Sequence, residues 1–67
     1  MHAENFPEFI RQKSASTLSV VLNVTESTIY TWAHRGGIPR SRWPELMIAY
    51  PEIGLRDLLA MEAQTVG

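Results

Sequence analysis

The groups in this chain that can do chemistry are hydroxyls, carboxylates and cations at helical spacing. Between Thr25 and Arg35, the residues Glu26, Ser27, Tyr30, Thr31 and His34 fall largely on one face of a helix, while Ile29 and Trp32 fall three apart on another. Arg35, Arg40 and Arg42 come next along the chain. Such groups exchange hydrogen bonds and neutralise anions, which is the chemistry of recognition. No Ser-His-Asp arrangement, Gly-rich phosphate loop or pair of catalytic carboxylates accompanies them. There is no cysteine, and His2 and His34 are too few and too separated to found a metal site. A chain of 67 residues is also too small to enclose a substrate pocket of ordinary size. No enzyme, cofactor, metal or small-molecule ligand is therefore expected. Trp32 and Trp43 sit at core spacing, which favours packing over base stacking.

Length and composition predict a single domain over 1–67, with 45% hydrophobic and 19% charged residues. With neither disulfides nor structural zinc, stability must come from one apolar core. The first ten residues hold two Glu, a Pro and no apolar run, so no signal peptide is expected, and no apolar stretch approaches membrane-spanning length. The expectation is a soluble, cytoplasmic protein. Net charge is −1, but its distribution is uneven. Residues 10–43 carry Arg11, Lys13, Arg35, Arg40 and Arg42 against Glu26, whereas residues 44–67 carry Glu45, Glu52, Asp57 and Glu62 against Arg56. A basic middle segment is the footprint expected of a nucleic-acid partner, although a short chain also segregates charge by chance.

Five short helices must position these groups. Asn5, with Glu8 three residues on and Pro7 in the first turn, starts a helix over about 6–13 whose apolar face is Phe6, Phe9 and Ile10. Ser14 can cap a second helix, with Ala15, Leu18 and Leu22 at helical spacing. The run from Ser16 to Thr25 is rich in β-formers and in isolation reads as a strand. The residues from Asn23 onward argue for a helix instead. Asn23 tolerates the left-handed region and can turn the chain. Thr25 can cap a third helix that Gly36-Gly37 ends by Arg35. A fourth helix begins near Arg40–Arg42, with Pro44 in its first turn and Pro51 as its stop. A fifth spans about 54–63 with Leu55, Leu58, Leu59 and Met61 apolar.

Two helices crossing steeply need a small residue at the contact, which Ser19 supplies. They also need a turn residue tolerant of positive φ, which is Asn23, then an apolar Val24 and buried positions five and eight further on, Ile29 and Trp32. The stretch from Leu22 to Trp32 resembles the helix-turn-helix core of phage Cro and CI-type repressors and the related YdaS-like regulators. Gly37-Ile38-Pro39, Trp43-Pro44-Glu45-Leu46 and Ile53 to Leu59 extend the likeness, which covers about 14–62. Asn23 stands where these proteins usually have Gly, and Ser19 where they usually have Ala.

The resemblance implies an all-α, lambda-repressor-like bundle with its motif at about 15–34, binding operator DNA as a transcriptional regulator, most simply a repressor acting by occupancy. It implies that Glu26, Ser27, Tyr30 and Thr31 face base edges in the major groove. Glu26 can equally serve only the helix N-terminus, and Tyr30 can equally be half-buried. Phosphate contacts are expected from Ser16, Thr17 and Thr25, and from His34, Arg35, Arg40 and Arg42, with Lys13 and Arg11 as weaker candidates. Arg40 and Arg42 can alternatively be solvated or pair with Glu45. A homodimer reading two half-sites is expected, with Leu55, Leu58, Leu59, Met61 and Val66 as candidate interface; these residues can instead complete the monomer core. Two other readings stand beside this one. An excisionase or MerR-like architectural module would place a β-wing after residue 40. A protein-interaction module, such as an antitoxin or anti-regulator, would use the same fold without DNA.

Overall fold

A computed structural model describes residues 3–65, and the expectations for His2 and Val66 lie outside them. The chain is all-helical: α1 (Phe6–Lys13), α2 (Ala15–Leu22), α3 (Glu26–His34), a short 3₁₀ turn (Arg40–Arg42), α4 (Trp43–Ala49) and α5 (Leu55–Gln64). No strand occurs among the described residues, and no helix among them is long and apolar enough to cross a membrane.

Local chemistry sets the ends of these helices. Asn5 Oδ1 accepts from the Glu8 amide at 2.8 Å, while the Glu8 carboxylate reaches back to the amide of Glu4 at 3.3 Å, one residue earlier than a capping box requires. Ser14 closes α1 and opens α2 at once. Its amide donates to Ile10 O at 2.8 Å, and its Oγ accepts from the Thr17 amide at 3.1 Å. This double duty holds Ser14 at φ 74°, ψ 141°, a conformation that side chains rarely adopt. The β-rich segment is helical because both of its ends are capped and Ala15, Leu18 and Leu22 meet the core, leaving Val20 80% exposed. Pro44 lies in the first turn of α4, where its missing N–H leaves no intrahelical bond unmade.

The core gathers Phe6, Phe9 and Ile10 from α1 and Leu18 and Leu22 from α2. Ile29 enters it from α3, Trp43 and Leu46 from α4, and Leu58 and Met61 from α5, with Ile38 and Ile53 from the connections. Full burial of such side chains contributes roughly 1.5–3 kcal/mol each. Trp43 keeps its indole N–H satisfied by donating to Ile38 O at 2.9 Å. The Phe6 amide donates to Thr65 Oγ1 at 2.9 Å, and Thr65 in turn donates to Met61 O at 2.7 Å, which ties the start of α1 to the end of α5.

Two expectations about packing are corrected. Leu58 and Met61 are buried within the monomer, because the side of α5 that carries them closes over the core. They therefore drop out of any surface for a second subunit, and only Leu55 and Leu59 on α5 remain exposed large apolar residues. Trp32 is half-buried, packed against the core rather than sealed in it.

Gly37 has φ +102°, and a Cβ there would collide with the buried ring of Phe6. Gly36 has φ +88° but open space around it. Gly37→Ala is predicted to cost roughly 3 kcal/mol in urea denaturation, from overpacking added to backbone strain, and Gly36→Ala about 1 kcal/mol from strain alone. Equal costs at the two sites would remove the steric account. At the α1–α2 junction, Ser14→Ala should lower stability by about 1 kcal/mol through loss of the cap. Ser14→Gly should be neutral or stabilising, because relief of strain offsets the lost bond.

Candidate nucleic-acid interface

The face built by α3 starts from the turn that precedes it. Asn23 adopts the left-handed conformation at φ 55°, ψ 49°. Its amide donates to Val20 O at 3.3 Å, and the Val24 amide donates to Ser19 O at 3.0 Å, the paired bonds of a Schellman closure. Ser19 turns its own hydroxyl onto Ser16 O at 2.7 Å. Thr25 then caps α3, its Oγ1 accepting from the Thr28 amide at 3.2 Å and lying 3.0 Å from Thr28 Oγ1. The Gly37 amide ends the helix on Trp32 O at 2.7 Å.

Between these ends Ile29 is fully buried, while Glu26, Ser27, Tyr30, Thr31 and His34 are all exposed. The structure thus brings the five polar residues of α3 singled out by spacing onto one solvent-facing stripe. Tyr30 is 54% exposed, with about half of its surface left to solvent. Thr31 Oγ1 donates to Ser27 O at 3.0 Å, so its proton is engaged and its lone pairs and methyl are what it offers outward. Ser16 and Thr17, in the first turn of α2, are exposed; Thr17 Oγ1 accepts from Ser14 Oγ at 2.9 Å.

Of the cations, Arg42 takes the Glu45 partner that the sequence offered as an alternative, whereas Arg40 takes a different carboxylate. Arg40 makes a two-pronged bond to the Glu62 carboxylate, at 2.7 Å and 3.3 Å, and lies 5.5 Å from the centre of the Trp43 ring. Arg42 meets Glu45 at 3.4 Å and donates to Leu22 O at 3.4 Å, at the carbonyl end of α2. Lys13 meets Glu52 at 3.4 Å and sits 4.7 Å from the Tyr50 ring centre. Each of these pairs joins a cation of the basic middle segment to a carboxylate of the acidic last third. Arg40 and Arg42 thus each have a carboxylate partner within the chain while their side chains stay at the surface, 68% and 38% exposed. Among the described residues, Arg11, Arg35 and Arg56 are the guanidinium groups with no carboxylate at ion-pair distance.

Sequence reasoning ranked Arg11 low, yet it shares a groove with the α3 stripe. A shallow groove of about 460 Å³ runs between α1 and α3, lined by Ile10, Ala15 and Ala33 and by the exposed Arg11, Tyr30 and His34. The spacing of Pro7 and Arg11 on α1 and of Ser14 at its end was the available signal; which helix that stripe meets was not. Among the described residues, no group of three or more His or carboxylate side chains is set to hold a metal ion.

The Arg40 guanidinium holds the Glu62 carboxyl below its ordinary 4.5, chiefly through their hydrogen bond. Its contribution to stability is complete above the unfolded value and disappears as pH falls through the lower folded one. In Arg40→Gln the Glu62 carboxyl carbon, followed by NMR, should titrate back near 4.5. An unmoved midpoint would mean the bond does not persist in solution. No family model, curated protein or solved structure matches this chain.

Proposed function

We propose that the chain is a sequence-specific double-stranded DNA-binding transcriptional regulator, in which α2, the turn at 23–25 and α3 act as a helix-turn-helix. The observation that carries this reading is the stripe of Glu26, Ser27, Tyr30, Thr31 and His34, exposed together opposite the buried Ile29 on a helix whose start is set by a rigid turn. A helix of this size fits the major groove, and its outward groups match what base edges present. Thr31 offers an acceptor and a methyl, suited to an exocyclic amine or a thymine methyl. Glu26 offers an acceptor suited to cytosine N4. Arg35 and His34, at the end of α3, supply backbone contacts.

The simplest mode of action is repression by occupancy. A single short helix reads few base pairs, so two copies on half-sites about one turn apart are the natural assembly, with exposed Leu55 and Leu59 as its candidate contact. The architectural, winged reading is disfavoured because residues 43–49 are helical where a hairpin would be needed. The protein-interaction reading draws support from the ion pairs that neutralise Lys13, Arg40 and Arg42.

The test is fluorescence anisotropy with DNA from upstream of the protein's own coding sequence, titrated across salt. Specific binding that weakens with salt is expected, with a modest slope set by the few unpaired cations. Thr31→Ala should weaken the upstream site about fivefold or more and leave unrelated duplexes unaffected, and Arg35→Ala should weaken all duplexes alike. Absence of binding at low salt would transfer the stripe to a protein partner.

A further inference from the structure

Two hollows of similar size lie on the surface, and they carry opposite charge. Among the described residues, the one beside α5, about 550 Å³, is lined by Glu4 and Asp57 and by no cation. The one between α1 and α3 is lined by Arg11 and His34 and by no carboxylate. Arg11 is exposed and has no carboxylate at ion-pair distance among the described residues, whereas three of the chain's six Lys and Arg residues are consumed by internal pairs. Tyr30, 54% exposed, adds a side chain with a hydroxyl to the lining of the same groove.

We infer that the α1–α3 groove is a seat for the sugar–phosphate backbone of the DNA strand flanking α3, with Arg11 as its phosphate ligand and Tyr30 and His34 as its second wall. This rests on the proposed DNA-binding function and adds to it a strand, a side and a residue. Tyr30 and His34 belong both to the exposed stripe of α3 and to this groove, so a duplex engaged by the stripe brings one backbone alongside α1. The apolar lining of Ile10, Ala15 and Ala33 suits the deoxyribose between phosphates. Tyr30 thereby serves the backbone rather than a base, and contributes affinity instead of sequence preference.

The experiment compares the full chain with Arg11→Gln, Arg11→Lys and Arg56→Gln by anisotropy. It uses a mixed-sequence duplex of about 20 base pairs and the upstream DNA, over a range of potassium chloride. Arg11→Gln is expected to reduce the salt slope by about one and to bind both duplexes about tenfold more weakly near 0.1 M salt. Arg11→Lys should restore most of the slope, and Arg56→Gln, which removes the same charge outside the groove, should leave it intact. Equal melting temperatures for Arg11→Gln and the parent chain establish that the fold is unchanged. If Arg11→Gln keeps the parent slope while Thr31→Ala still weakens the upstream site, the groove lies off the duplex and the α3 reading survives alone. Equal losses in Arg11→Gln and Arg56→Gln would reduce the effect to net charge and overturn the assignment. If the parent chain binds neither duplex, both readings fall together.

Discussion

Asn23 reverses the chain by standing in the left-handed region, and the paired bonds from Asn23 and Val24 back to Val20 and Ser19 lock that reversal. The placement of α3 depends on this closure. It sets the direction of the helix, drives Ile29 into the core and leaves the opposite side to solvent. A non-glycine residue here is under mild strain, which Asn bears better than most side chains because its amide can bond locally. The second reversal, at Gly36 and Gly37, shares the longer-range of these two bonds, with the Gly37 amide on Trp32 O. Its second glycine has a further duty, since the Phe6 ring occupies the space a side chain would need.

Electrostatics organise the surface in a way that opposes simple attraction to a polyanion. The basic middle and acidic end of the chain fold onto one another through Lys13–Glu52, Arg40–Glu62 and Arg42–Glu45. Exposed pairs of this kind add little stability. Their larger effect is on the charge left over: positive groups at Arg11 and Arg35 near the ends of α1 and α3, and at Arg56 on α5. A surface with few available cations gains little affinity from counterion release, so a DNA partner would be held chiefly by fit in the groove.

The last helix shows how one apolar stretch divides its work. Leu58 and Met61 seal the core against α1, while Leu55 and Leu59 stay outside. Tyr50 is a smaller oddity: its hydroxyl is buried with no hydrogen-bond partner among the described residues, and burial pushes its ionisation up. The ring packs edge-on against Phe9, and that contact accounts for its position.

Much of this was legible in the residues themselves, because local signals are short-range. Ser14, Asn23, Thr25 and the two glycines mark helix ends by chemistry confined to a few neighbours, and the three- and four-residue spacing of apolar groups separates inward from outward faces. The polar stripe on α3 follows from that periodicity alone. Which groups then meet across the fold was decided elsewhere. The partners of Arg40, Arg42 and Lys13, the burial of Leu58 and Met61, the partial exposure of Trp32 and the meeting of Arg11 with Tyr30 and His34 depend on how helices far apart in sequence are oriented. That orientation emerges only when the whole core is packed, since a helical wheel specifies the angle of a side chain about its own axis and says nothing of the neighbour it will face.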